Sequence, residues 1–474
     1  MKTNINKYVK TVTFLMLFSF LFSQLLIPSS WAAFLSTDEE KIIGREFLFN
    51  ITKVYEIVDD DYANDYINRL GKYLLLPLES RRFPYRFYII KQPTLNAFAA
   101  PGGNIFIFSG LIDVMNEVDE LAAVLTHEIA HVSARHLARR MELGKKLGWA
   151  TLAGVLAAVL VGGKATGAVM TGTLAASQAA QLHYSRDDER QSDQLGFKYM
   201  KATGFDPSGM ISVLQKMQRG QGYGTSNFPS YLLTHPTGPE RMSNLDMMIS
   251  SHSFARDNRV AERFRRQFPI FKTILRAKYT QVDQAERYFR KELEKNPASP
   301  SANFGLGMVY QQLSEYDQAI DHYKRALKQQ PESELILANL GEAYQLNGQE
   351  DEALRVLQKA LRLDEQNKGV LFLMAGSYQQ MGDYKKAIRL YERLLAMRPV
   401  KNEVFYNLGV SHGRVQQLAY AHYYFGIYFL RSHKFNKAKF HFEKADSLVK
   451  NDDRLRKKIH KAIDAPPFKK PASK

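Results

Sequence analysis

The sequence predicts an α+β domain, mainly helical with a small sheet, followed by an all-α solenoid of repeats. Three observations carry this expectation. His127-Glu128-Ile129-Ala130-His131 lies in a stretch of helical pattern, Asn96 to Phe108 reads as two short strands around Pro101-Gly102-Gly103, and a 34-residue period sets in after about residue 265. At 474 residues the chain is too long for one ordinary domain and ample for two cores.

Two histidines four residues apart share one helix face, where two ring nitrogens can grip a single zinc ion. Val118, Leu121, Val124 and Leu125 precede the pair, Val132 and Leu137 follow, and neither Pro nor Gly interrupts, so the helical pattern runs through. Glu128 then stands beside the metal rather than on it, placed to take a proton from water there. A third ligand is needed. A three-histidine site would continue with Gly and His where Ala134 and Leu137 stand, and His136 falls one residue off that register. Tyr184 to Gly196 offers a glutamate instead. Glu189 and Asp193 are four apart and share a helix face, so Glu189 can reach the metal while Asp193 accepts the free N–H of a ligating histidine. Alone, that segment reads as an exposed charged helix; beside HExxH it reads as the other half of a metal site. His136 and His183 lack ligand spacing and read as ordinary surface or helix residues.

Asn96-Ala97-Phe98-Ala99-Ala100-Pro101-Gly102-Gly103, Ile105 to Leu111, the HEIAH helix, Ser185-Arg186-x-x-Glu189-x-x-x-Asp193, and Thr234-His235-Pro236 with Arg241 follow one another in order. These blocks resemble the HtpX and CAAX-prenyl-protease type of gluzincin metallopeptidase over residues roughly 40–250. With the repeats, the whole chain resembles the periplasmic subgroup of that family. Ser192 departs from the small Ala more usual there. The resemblance implies a zincin-like fold, one Zn2+ per chain on His127, His131 and Glu189, and Glu128 as general base. It places His235 near the metal, either stabilising the oxyanion or filling the fourth coordination position. Arg241 either forms a structural salt bridge or orients the substrate carbonyl. Asn96 and Arg241 are candidate substrate contacts, and substrate is expected to lie extended along the exposed edge strand of the Asn96–Phe108 segment.

The N-terminus has the order of a secretory signal. Lys2, Lys7 and Lys10 precede the apolar run Phe14 to Ile27, and Ser30 and Ala32 precede a cut, giving a signal peptide over 1–32. An uncleaved anchor is the alternative. The chain has no cysteine, which removes disulfides, thiolate ligation and bacterial lipid attachment. Formal net charge is +17; removing the three leader lysines leaves +14. Export argues against nucleic acid as the partner. The basic clusters Arg263-x-Arg265-Arg266, Arg454-x-Arg456-Lys457-Lys458 and Lys469-Lys470 suit peripheral contact with an anionic membrane surface, or simply solvated repeat faces. Within the protease region (33–264), Leu147 to Gly163 is uncharged over 17 residues and a small-residue run follows to Ala180. A span needs about 20 apolar residues, so a helical insert packed on the protein is expected over 147–180.

Ala285, Ala319, Ala353, Ala387 and Ala421 recur every 34 residues, each followed four positions on by Phe289, Tyr323, Leu357, Tyr391 or Phe425. Gly307, Gly341, Ala375 and Gly409 keep the same period. This is the tetratricopeptide pattern. It runs over 265–463, with Ala438 and Phe442 restarting only 17 residues after Ala421, and a Pro/Lys tail follows over 464–474. Such a solenoid binds segments of other proteins. The expected function is a zinc endopeptidase in the periplasm of a Gram-negative bacterium. It would degrade unfolded or misassembled envelope and outer-membrane proteins, with the repeats recruiting substrate or the outer-membrane assembly machinery. The alternative is a chaperone for outer-membrane proteins with a mostly latent protease site.

Overall fold

A computed structural model describes residues 36–143, 184–219, 231–232, 235–236, 238–254, 258–464 and 468. The expected signal peptide, the expected 147–180 insert, His183 and nearly all of the expected tail lie outside the described residues. Two compact units divide between Lys272 and Thr273. The first is the mainly helical α+β unit with a small sheet, the second a helical repeat, which is the fold class that the sequence predicts. Among the described residues, no helix is long and apolar enough to cross a membrane.

In the first unit, helix α1 (Thr37–Val54) opens on a capping box, Ser36 with Glu39, and buries Ile43, Phe47 and Ile51. Helix α2 (Asp61–Leu74) is capped by Asp60 and lies on strand β1 (Arg86–Ile90). Strands β2 (Ala97–Ala100) and β3 (Asn104–Phe108) flank a single 3-10 turn, Pro101–Gly103, in which Gly102 and Gly103 take φ of 76° and 82°. The sheet order is β1-β3-β2, parallel between β1 and β3 and antiparallel between β2 and β3, so β2 is an edge strand. Phe98 and Phe106 stack at 5.0 Å, and Phe47 of α1 meets Phe98 edge-on at 5.9 Å.

After the short α3 (Ser109–Val114) comes α4 (Val118–Ser133), buried along almost its whole length. Around it lie the sheet, α2, α6 (Arg186–Thr203) and α7 (Ser208–Arg219). The helical pattern that runs through to Leu137 is broken in the structure. Helix α4 is capped at Ala134, Arg135 turns left-handed with φ of 57°, and α5 (His136–Leu143) begins anew. No glycine marks this break, so the pattern could not reveal it. Helix α6 begins with a capping box between Ser185 and Asp188 and ends on left-handed Gly204. It approaches α4 closely: a Cβ on Gly196 would lie 3.5 Å from the His127 amide nitrogen. The buried acids near the start of α4 are each matched. Asp119 holds Arg265 (2.7 Å) and the Asp206 amide (2.6 Å), and Glu120 holds Lys216 (2.7 Å). Arg265 is therefore engaged inside the fold, which takes it out of the basic surface cluster expected at 263–266. Helix α8 (Pro239–Ser250) completes the surroundings of the site, and the division between the units falls within α9 (Arg259–Tyr279).

The second unit continues as helix pairs that follow the 34-residue period. Ala285, Ala319, Ala353 and Ala387 are fully buried. Each small residue of one helix accepts a large side chain of its mate. The space over Gly307 is filled by Tyr323, that over Gly341 by Leu357 and that over Gly409 by Phe425, all within 2.7 Å of where a Cβ would stand. The 17-residue restart has a structural cause. Helix α18 (Leu418–Arg431) packs Phe425 against Gly409 of α17 (Asn402–Arg414), and also offers Gly426 to Phe442 of α19 (Phe435–Leu448). One helix thus closes one pair and opens the next. Gly426→Ala would place a methyl 2.5 Å from the Phe442 ring and is expected to destabilise this unit by about 1–3 kcal/mol. Gly413→Ala meets only Ala421 at 3.8 Å and should stabilise by up to about 1 kcal/mol. Denaturant unfolding of the two variants, followed by helical signal, checks the difference in sign.

Candidate metal centre

Helix α4 carries His127 and His131 one turn apart on the face turned toward α6, and their Nε2 atoms lie 3.0 Å apart. Helix α6 supplies Glu189, with Oε1 3.3 Å from His131 Nε2 and Oε2 3.4 Å from His127 Nε2. His235 enters ahead of α8, its Nδ1 2.9 Å from Glu189 Oε1 and 3.4 Å from His127 Nε2. These four buried residues offer ligand atoms all within 4.8 Å of one another. Zinc–nitrogen and zinc–oxygen bonds of about 2.0–2.2 Å in a tetrahedron give edges of about 3.3–3.6 Å, close to the separations found. The donor set of three imidazoles and a carboxylate therefore fits zinc. Glu128 lies outside this set, fully buried, with Oε1 3.6 Å from His235 Nε2 and the Ala99 backbone amide as its hydrogen-bond partner.

Around the donors runs a layer of charge. Asp193 Oδ1 lies 2.9 Å from His127 Nδ1. Arg241 grips Asp193 with two bonds, Nε to Oδ2 at 2.7 Å and Nη2 to Oδ1 at 2.9 Å, and its Nη1 forms an ion pair with Glu189 Oε2 at 2.7 Å. That last contact lacks hydrogen-bond alignment. The guanidinium, sequence-proposed as a substrate contact or a salt bridge, is thus 8% exposed and held by two carboxylates. Burial pushes the Glu189 and Asp193 carboxyls up, but the His235, Arg241 and His127 charges hold Glu189 well below its usual range, and Arg241 and His127 hold Asp193 down. Burial lowers His127, yet Glu189 and Asp193 raise it to about 9. His131 is pulled well below its ordinary value by burial. Burial likewise raises Glu128, opposed by His235 and His127.

Asn96 is fully buried just before β2, where its carbonyl accepts the Phe108 amide at 2.9 Å. The residues of β2 are buried as whole residues, backbone included, at 0–2% exposure, so the exposed edge strand expected from the sequence is a covered one in this structure, with α4 packed beside it. Three aromatic or imidazole neighbours were not singled out by sequence reasoning. The Tyr184 ring lies 3.8 Å from that of His131, and Tyr231 stacks on His235 at 4.3 Å and 15°. His136, expected as an ordinary surface or helix residue, is instead fully buried with Nδ1 3.0 Å from His131 Nδ1. Tyr184 directly precedes the Ser185 cap and Tyr231 lies four residues before His235, while His136 meets His131 only because the helix breaks at Arg135.

A buried HExxH helix completed by a glutamate from a second helix is the metal-holding arrangement of a class of metallopeptidases. Residues 62–249 match Peptidase family M48, and residues 281–404 match the TPR domain of cytochrome c-type biogenesis protein H. Residues 62–249 are thus similar to an M48 peptidase domain, and the tetratricopeptide-like region follows it. It is 36% identical over 221 residues to the β-barrel assembly-enhancing protease of Yersinia pestis, covering 46% of this chain and 45% of that one. A putative β-barrel assembly-enhancing protease of Vibrio cholerae is 30% identical over 290 residues, 60% of this chain and 58% of that one. The mitochondrial metalloendopeptidase OMA1 of Saccharomyces cerevisiae is 32% identical over 172 residues, 35% of this chain and 47% of that one. The chain spans about half the length of the curated relatives it matches.

Asp193→Asn is expected to weaken zinc binding about 10–100-fold, read by chelator competition, because it removes the charge that orients His127. Asp188 provides a pH test. Burial raises its carboxyl, but the Arg140 bond and the Ser185 cap outweigh this and hold it below the usual value near 3.9. Its stabilisation is present above that value and lost as pH falls through the lower folded one. The melting-temperature gap between the unsubstituted chain and Asp188→Asn should be full at about pH 6 and shrink below about pH 4.

Proposed function

We propose that this chain is a zinc-dependent endopeptidase of the periplasm that degrades misfolded or misassembled outer-membrane proteins. The observation that carries the reading is the four-donor cluster with a buried carboxylate, Glu128, standing beside it but outside it. His127, His131 and Glu189 would hold the ion. Zinc, when bound there, supplies Lewis acidity that eases deprotonation of water and polarises a scissile carbonyl. Glu128 takes the proton from the attacking water and hands it to the leaving amine. Its raised affinity for a proton, caused first by burial, suits that exchange. Extended substrate would pair with the edge of β2, with Asn96 as a candidate contact at its start, once that buried strand is uncovered. Recognition through the main chain reads little side-chain identity, which suits unfolded substrates. Two relatives bear names that tie them to β-barrel assembly, which supports a connection to that process, and the lysine, apolar and small-residue order of the N-terminus supports export. The repeats recruit substrate or assembly machinery.

A second reading is a chaperone or assembly factor whose protease is mostly latent. One observation favours it: His235 Nδ1 already completes the donor set, leaving no open position for water.

The test is cleavage of unfolded casein by the purified chain. Glu128→Gln should keep bound zinc and lose cleavage by at least about 100-fold. His235→Ala separates the readings: faster cleavage marks a latent enzyme gated by His235, and slower cleavage marks His235 as a participant in the reaction. Zinc retention without cleavage by any of these proteins would sink the endopeptidase reading.

A further inference from the structure

His131 turns its Nε2 toward the donor cluster, so whatever sits at Nδ1 decides which nitrogen carries the proton. That partner is His136, with Nδ1 to Nδ1 at 3.0 Å. Between two ring nitrogens one must donate and one accept. The far side of His136 settles which. Its Nε2 lies 2.8 Å from Gln191 Oε1 and 3.8 Å from Asp188 Oδ1, both acceptors, so the proton of the neutral ring belongs on Nε2. His136 Nδ1 is then a lone pair, His131 Nδ1–H donates into it, and the lone pair of His131 Nε2 faces the cluster. Ser192 Oγ approaches the same His136 nitrogen at 3.3 Å, the longer contact.

The backbone makes this contact available. In an unbroken helix a residue five positions on is rotated about 140° away and cannot meet the first. Here the left-handed Arg135 folds α5 back, so that His136 lies against His131. A residue with a side chain rarely adopts that conformation, and Arg135 is secured in it by Nε donating to Glu40 Oε1 of α1 at 2.9 Å.

We propose that His136 is a positioning residue of the metal centre: it accepts the Nδ1–H of His131 and so fixes the tautomer that presents Nε2 to the ion. The two histidines of the motif are then oriented by different chemistries, His127 by the carboxylate of Asp193 and His131 by a neutral imidazole. A carboxylate strengthens its histidine as a donor more than an imidazole does, so the two ligand bonds are unequal by construction. This inference rests on the reading above that His127, His131 and Glu189 hold zinc.

The experiment compares His136→Leu with His136→Asn in the full chain. Leu and Asn share the same four-heavy-atom side chain branched at Cγ, and only Asn keeps an acceptor near the position of Nδ1. Zinc affinity is measured by chelator competition, beside the melting temperature of the metal-free proteins. His136→Leu should bind zinc about 10–100-fold more weakly than the unsubstituted chain, with His136→Asn restoring most of the loss. A purely structural role would weaken both alike, and equal affinities in the two variants would overturn the proposal. Should His136→Leu fail to fold, the cobalt-substituted unsubstituted protein and His136→Asn decide. A slowly exchanging His131 ring N–H resonance in both supports the hydrogen bond, and fast exchange in the unsubstituted protein overturns it. An unsubstituted chain that binds no zinc would overturn the metal-centre reading itself, a distinct result from zinc held equally by all three proteins.

Discussion

Helix α4 is enclosed on nearly every face and yet carries Asp119, Glu120, Thr126, His127, Glu128 and His131 into the interior. Burying polar groups is costly unless each is matched. That requirement organises the first unit. Arg265 and Lys216 answer the acids at the start of the helix, and Glu189, Asp193, His136 and His235 answer the imidazoles at its end. Thr126 returns its hydroxyl to the Ala122 carbonyl at 2.8 Å. Glu128 is answered by backbone, at Ala99, and by the approach of His235 at 3.6 Å.

The charges close on one another in a chain rather than in isolated pairs. Arg241 holds Asp193 and faces Glu189, Asp193 holds His127, and Glu189 reaches His127, His131 and His235. In such a network, removing one partner strands the others in low dielectric, so the effects of single substitutions do not add. Arg241 owes its place to this chain. Its guanidinium is forked onto Asp193, the partner of His127, and set against Glu189, one of the four clustered donors.

In the second unit the organising constraint is steric. A large side chain of one helix enters the space left by a glycine of its mate, repeatedly at Gly307, Gly341 and Gly409, and the same geometry at Gly426 lets α18 serve two neighbours. The shortened spacing between Ala421 and Ala438 is therefore the mark of a shared helix. Stacking of this kind leaves one face of each helix for the next pair.

By itself, the sequence determined what periodicity and short-range spacing encode: the zinc-spaced pair on α4, the Glu189–Asp193 face of α6, the two strands around Pro101–Gly103, and the helix pairs of the repeat. Each depends on residues within one turn or one strand of each other, or on a period that repeats. Tertiary structure alone decided which residues meet across distance. Asn96 and Arg241 became buried rather than displayed, Arg265 left the surface cluster for Asp119, and Tyr184 and Tyr231 came to wall the metal site. His136 is the sharpest case. Its contact with His131 requires a left-handed turn at Arg135, held by Glu40 almost a hundred residues earlier, and no local pattern records a backbone reversal that a distant ion pair maintains.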